Sequence, residues 1–252
     1  MGAIVRRIPV LLYHHVNLHA GDTVTITPDV FDRQMKFLHD EGYHSLSADE
    51  LYGFIREEMP LRERLVVITF DDGWLDNDLY AVPVLEKYRF KATFFLITAR
   101  VDAASQGSWQ QAAEIPVHEA AKTLIQSGEA GRVALSWGRV KELERSGLFR
   151  FFSHTVNHRR CAGLSSQDLF SELADSKERI EAELGRICDY LCWPYGSFSE
   201  EAVKVATKIG YKGLFTTEDG FCEPGSSPDM IKRIEVTNSL ESLKDRLFER
   251  SL

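Results

Sequence analysis

A chain of 252 residues with 44% hydrophobic and 27% charged side chains has the composition of a soluble globular protein, long enough for one large domain with a sizeable core. A net charge of −8 with no basic block argues against nucleic acid or an anionic membrane as the main partner. No tract is long and apolar enough to span a bilayer, and the four cysteines (Cys161, Cys188, Cys192, Cys222), spaced as neither a CxxC pair nor a dense disulfide framework, read as buried thiols.

The first apolar run, PVLLYH (9–14), follows two arginines. It is shorter than a signal-peptide core of ~7–15 residues and has no small-residue cleavage site, so it reads as a strand. The chain as written is therefore expected to be cytoplasmic, and exported or periplasmic only if a leader has been removed from it. Further runs with strand character follow at 65–70 (LVVITF), 92–97 (ATFFLI), 149–154 (FRFFSH), 190–195 (YLCWPY) and 213–217 (GLFTT), with a weaker one at 230–236 (MIKRIEV). Most are continuous rather than alternating, as in strands covered on both faces.

Helix signals lie between these runs. Thr27, Pro28 and Asp29 open a helix with Phe31, Met35 and Leu38 on one face, ending at Gly42. Ser47 with Glu50 three residues on forms a capping box for 48–57. Amphipathic stretches follow at 79–88, 137–146, 166–185 and 199–209. Alternation of this kind predicts a mostly parallel sheet, open and doubly wound or closed into a barrel, with functional groups at the carboxyl ends of strands. No linker divides residues 1–252, which read as a single domain. The stretch 99–134, rich in Ala, Gln, Ser and Gly, has no matching strand and reads as an insertion or lid.

Several apolar runs end in groups that bind metals or work as acids and bases. LVVITF runs into Asp71-Asp72-Gly73, where the glycine permits a sharp exit so that both carboxylates can share a site. FRFFSHTVNH ends in His154 and His158, YLCWPYG in Trp193-Pro194-Tyr195-Gly196, and PVLLYHH in His14 and His15. Each pattern alone has a plainer reading, as a solvated turn, a surface helix or a satisfied core histidine. If the strands are parallel neighbours, the ends meet on one rim. Two histidines four apart plus one carboxylate then make a three-ligand site with open positions on Zn²⁺ or a similar divalent ion.

The ordered set of motifs resembles the polysaccharide deacetylases, the carbohydrate esterase group that shares the NodB homology domain. TFDDG (69–73) is similar to its first motif, SHTVNH (153–158) to its second, H-[ST]-x-x-H, and CWPYG (192–196) to its third, R-x-P-[FY]-G. The arrangement resembles the branch acting on poly-β-1,6-N-acetylglucosamine, in which the catalytic-histidine motif L-x-H is permuted to the N-terminus. Here Leu12-Tyr13-His14 fits it.

This resemblance implies a distorted (β/α)7 barrel and a metal-dependent hydrolase acting on the linear amide C–N bonds of N-acetylhexosamine units in a glycan. It implies Asp72, His154 and His158 as metal ligands, Asp71 as general base and His14 as general acid. The metal is expected to be zinc, with cobalt, nickel or iron as alternatives. The backbone N–H of Tyr195 is implied to help hold the oxyanion, with the Trp193 and Tyr195 rings shaping the sugar pocket. Two departures stand out. Cys192 replaces the third-motif arginine that pairs with the base, for which Arg233 is the candidate substitute, and the permuted chain leaves no evident partner for His14.

Competing readings are deacetylation or deformylation of a small or lipid-linked amino-sugar conjugate, and cleavage of an O-acetyl ester. A non-haem Fe(II) oxygenase shares the two-histidine, one-carboxylate ligand set, but its usual ligand order differs. A catalytically silent glycan-binding module would keep the ligands without using Asp71 and His14.

Overall fold

Seven of the apolar runs become the parallel strands of a closed barrel: β1 (Ile8–Tyr13), β2 (Leu65–Phe70), β3 (Ala92–Leu96), β4 (Phe149–Ser153), β5 (Tyr190–Cys192), β6 (Gly213–Asp219) and β7 (Ile231–Glu235). They belong to a computed structural model, which describes residues 7–19, 21–58, 64–106 and 115–248. β2 to β7 pair in sequence order, and β1 closes the ring between β7 and β2, with Leu11 opposite both Ile68 and Ile234. The barrel is uneven. The register shifts between Ile231 and Arg233, and β4 meets β5 through the single pair Ser153 and Leu191. Among the described residues four short strands sit outside the ring: His44–Leu46 parallel to β2, Phe221–Cys222 antiparallel to β1, and His15–Val16 paired in parallel with Thr25–Ile26 as a separate ribbon.

Every residue of β1 and β2 is buried, as their unbroken apolar sequences require, because one face packs on the outer helices and the other lines the barrel. Tyr13, Phe70, Phe94 and Phe151 stand in register on four adjacent strands, and their rings form a stacked file with centroids 5.3, 4.9 and 5.1 Å apart. This file faces the helix α1 (Pro28–Asp40), where Phe31 meets both Tyr13 and Phe70 edge-on and Gln34 accepts from the Tyr13 hydroxyl. Thr69 and Asp71, one position out of phase with Phe70, therefore point into the barrel.

Pro28 sits in the first turn of α1, and Ser47 and Glu50 exchange both capping-box bonds at the start of α2 (Ala48–Ile55). The helix expected over 79–88 divides into a π-turn at Asn77–Ala81 and α3 (Val82–Tyr88). Pro83, having no N–H, cannot extend the α-helical ladder back across that junction. The run YLCWPY yields a strand of only three residues, because Pro194 removes a ladder donor and Tyr195 turns left-handed at φ 57°.

In the stretch 99–134 the described residues hold no barrel strand. α4 (Thr98–Ser105), α5 (His118–Gln126) and a 3-10 turn at Ala130–Arg132 occupy it, while residues 107–114 lie outside the described residues. The far end of this stretch is tied to the exit of β2, since Leu75 N donates to Val133 O and Leu135 N to Gly73 O. The remaining helices are α6 (Trp137–Arg145), α7 (Ser166–Leu184), α8 (Glu200–Ile209) and α9 (Leu240–Phe248). Among the described residues no helix is long and apolar enough to cross a membrane.

Candidate metal and catalytic site

The carboxyl ends of β1, β2, β4 and β5 converge on one cavity, lined among others by His14, Asp71, Asp72, His154, His158, Trp193 and Tyr195. Backbone bonds that continue the strand ladders place these side chains. Asp71 N donates to Tyr13 O at 3.0 Å, so His14 emerges beside the paired carboxylates, and His154 N donates to Leu96 O at 2.8 Å. Four non-glycine residues here, Asp72, Thr155, His158 and Tyr195, have φ of 77°, 67°, 59° and 57°. Left-handed backbone of this kind costs about 1–3 kcal/mol per residue and gathers where a side chain must be aimed.

Asp72, His154 and His158 meet. Asp72 Oδ1 lies 3.6 Å from His154 Nε2 and 3.4 Å from His158 Nε2, and the two Nε2 atoms are 3.2 Å apart. Three ligands each about 2.0–2.1 Å from one tetrahedral ion have edges of ~3.4 Å, so these spacings fit a divalent metal. The remaining bonds leave the inward atoms available. Asp72 Oδ2 accepts from Trp74 Nε1 at 3.0 Å, while Asp72 Oδ1 is buried without a hydrogen-bond partner among the described residues. His154 Nδ1 donates to Cys192 O at 2.8 Å, which puts the lone pair on Nε2. Burial pushes the pKa of both imidazoles down, that of His158 to about 3, so both are held in the neutral form that binds metals. Burial alone would raise the Asp72 carboxyl, but Arg100 and the site histidines hold it well below the usual carboxylate range.

Asp71 is held differently. It is 2% exposed, and both of its oxygens accept from Arg233, Oδ1 from Nη1 and Oδ2 from Nη2, each at 2.8 Å. Arg233 is itself 1% exposed and also donates to Thr69 Oγ1 and Thr216 O. Burial would raise the Asp71 carboxyl, yet Arg233 and His154 outweigh it and hold the group at about 2. Cys192 occupies the space beside this pair, its Sγ 3.0 Å from Arg233 Nη2 and 3.4 Å from Asp71 Oδ2. Asp71, His154 and Cys192 form a second group near enough to share an ion, but the guanidinium already bound to two of its members opposes another cation there.

Sequence reasoning did not point to Arg100, Trp74, His118, Lys122 or Thr217, all of which line the cavity. Arg100 donates to Asp72 O and lies over the Trp74 ring at 4.1 Å. Trp193 is fully buried, with its Nε1 lacking a partner among the described residues, whereas Tyr195 is 56% exposed with its ring 4.4 Å from that of His158. The His14 imidazole makes no hydrogen bond among the described residues.

The loop carrying Tyr195 is tightly drawn. A Cβ on Gly196, at φ 60°, would fall 2.0 Å from Thr217 Oγ1. Gly196→Ala is expected to destabilise the fold by about 2 kcal/mol and lower Tm by ~4–8 °C. It should also weaken catalysis by displacing Tyr195. Calorimetry with a parallel activity assay checks both, and an unchanged Tm would show that this loop has slack.

Comparison with known proteins matches residues 58–214 to the polysaccharide deacetylase family. That span holds Asp71, Asp72, His154, His158, Trp193 and Tyr195 but neither His14 nor Arg233. YxkH of Bacillus subtilis is 29% identical over 231 residues, 92% of this chain and 72% of its own length. The poly-β-1,6-N-acetyl-D-glucosamine N-deacetylase of Escherichia coli K12 is 25% identical over 262 residues, and the match spans 92% of this chain but only 37% of that enzyme. Among solved structures, Streptococcus pyogenes deacetylase PplD in complex with acetate superposes with a TM-score of 0.80 at 26% identity, over 96% of this chain and 98% of that one.

Proposed function

The chain belongs to the polysaccharide deacetylase family, and from that premise we propose that it is a metal-dependent N-deacetylase of a poly-N-acetylglucosamine-like glycan. One observation carries the reading: an Asp-His-His cluster with metal-ligand spacing lies beside a second, separately ion-paired aspartate. Asp72, His154 and His158 would hold the ion. Such an ion supplies Lewis acidity, acidifying water and polarising an amide carbonyl.

The chain's own groups account for the proton traffic. Asp71, kept ionised and engaged by Arg233 rather than by the ligand cluster, accepts a proton from the attacking water. As the C–N bond breaks, His14 delivers a proton to the departing amine, so acetate and a free amino sugar leave. The Tyr195 backbone N–H would face the developing oxyanion, with its exposed ring and buried Trp193 bounding the sugar. The cavity measures about 210 Å³. This is below the ~300–1,000 Å³ of sites that enclose a whole small ligand, so the cavity would enclose only the reacting sugar unit and leave the rest of the substrate outside. Single-domain organisation, with 99–134 as an insertion flanking the cavity, belongs to the same proposal.

The test is metal removal. Dialysis against a chelator should abolish acetate release from N-acetylglucosamine oligomers, and Zn²⁺, Co²⁺, Ni²⁺ or Fe²⁺ should restore it to different extents. Because an ion that binds only the folded state stabilises by RT ln(1 + [L]/Kd), re-addition at about 100 Kd should also add ~2.7 kcal/mol of stability. Full activity in the chelated protein would overturn the metal requirement, and tight metal binding without acetate release would point to a silent glycan-binding module.

A further inference from the structure

The roles assigned so far leave unused the second histidine of the YHHV run. His15 is 1% exposed, and its Nδ1 lies 2.5 Å from Oδ2 of the fully buried Asp76. On its other edge, His15 Nε2 lies 2.9 Å from Nδ1 of His118, the first residue of α5, while the Trp74 ring covers the His15 imidazole at 4.3 Å. Asn17 Nδ2 donates to the same Asp76 oxygen and reaches Ile115 O and Pro116 O, so the segment leading into α5 is fastened at one point.

Counting protons along this chain gives His118 a defined face. A carboxylate at Asp76 can only accept, so with a single ring hydrogen His15 carries it on Nδ1 and presents Nε2 as an acceptor. His118 Nδ1 must then donate to it, which leaves a lone pair on His118 Nε2. Nε2 is the nitrogen left to meet a ligand in the cavity that His118 lines together with Asp72, His154 and His158. Among the described residues the nearest carboxylate, that of the 78% exposed Glu119, stands 3.8 Å from Nε2, beyond hydrogen-bonding distance. Burial lowers the His118 pKa, which agrees with a neutral ring.

We propose that His118, its tautomer set by the buried Asp76 and His15, accepts a hydrogen bond from a hydroxyl of the sugar ring in the cavity and so sets the register of the glycan. The inference rests on the glycan-deacetylase reading and adds a specificity residue, presented by the 99–134 stretch, to the groups on the strand ends. A ring bearing several hydroxyl donors is the class of ligand that a fixed acceptor beside an Asp-His-His cluster selects.

Two variants separate this role from a structural one. In His118→Asn the side-chain amide can still donate to His15 but nothing replaces Nε2, whereas in His118→Gln an amide oxygen can reach the Nε2 position. With an N-acetylglucosamine pentamer as the probe, His118→Asn should raise KM ~10-fold with kcat within about two-fold and Tm unchanged, and His118→Gln should recover most of the loss. The Kd of the pentamer for Asp71→Asn, with and without His118→Asn, reads binding independently of turnover and should show the same ~10-fold weakening. Absence of acetate release from the unmodified protein would remove the deacetylase reading but leave this Kd comparison in force. Equal Kd values, no pentamer binding at all, or loss of kcat and Tm in both His118 variants would each overturn the role given to His118.

Discussion

Asp71→Asn is expected to lower kcat for acetate release by ~10²–10⁴-fold, the usual range for a general base, while the protein binds Zn²⁺ as well as before. The geometry predicts this separation. Both Asp71 oxygens are occupied by Arg233, and the Asp72, His154 and His158 cluster proposed to hold the ion forms without it. Asparagine keeps one oxygen for the guanidinium but turns an N–H donor toward the other, so the variant also leaves Arg233 incompletely paired in the barrel interior. Its Tm must therefore be measured beside its activity. Activity within three-fold of the parent would remove Asp71 as the base, and loss of Zn²⁺ together with activity would make it a ligand instead. With its pKa held near 2, Asp71 stays ionised across the neutral range, so an acidic limb in the pH profile near pH 6 would have to report another group.

Much of this architecture is readable from the chain. The continuous apolar runs and their carboxyl-terminal punctuation gave seven strands within a residue or two at most boundaries, because a strand buried on both faces leaves a local record. What closes the ring is not local. β1 pairs with β2 across more than fifty residues of sequence, and nothing in PVLLYH states that β7 will lie on its other side. The site divides in the same way. Asp71, Asp72, His154 and His158 stand within short motifs whose spacing carries chemistry, whereas Arg100, His118 and Lys122 come from helices with no such pattern. The second histidine of YHHV and Asp76, four residues past Asp72, offered a signal. Only the fold shows that these two meet and that His118 joins them.

Arg233→Met is expected to damage both stability and catalysis, since it strands the Asp71 carboxylate in the barrel interior. Removing one member of a buried ion pair costs about 3–5 kcal/mol, because the remaining charge keeps its desolvation penalty. With Arg233 gone, burial dominates and pushes the Asp71 carboxyl upward from about 2, so an acidic limb due to Asp71 should enter the pH–rate profile at higher pH. The sign of the stability effect follows from the same shift. A carboxylate depressed below its ordinary 3.8 stabilises the fold above that pH and loses its contribution as pH falls through about 2, so the gap between parent and variant should be widest near neutrality and close in strong acid. The double variant Arg233→Met/Asp71→Asn should regain part of the lost stability without regaining activity, which separates the fold's need for neutrality from the reaction's need for a base. A further substitution uses the position of Cys192, whose sulfur lies 3.4 Å from Asp71 and 3.0 Å from Arg233. In the resembling family an arginine occupies that motif position. Arg233→Met/Cys192→Arg supplies a guanidinium from β5, on the far side of β6 from β7, into the space vacated by Arg233, and should recover at least about ten-fold of the activity lost in Arg233→Met, a restored factor worth ~1.4 kcal/mol at the transition state. Recovery of Tm without activity would mean that Arg233 also fixes the direction in which Asp71 points, through its bonds to Thr69 and Thr216.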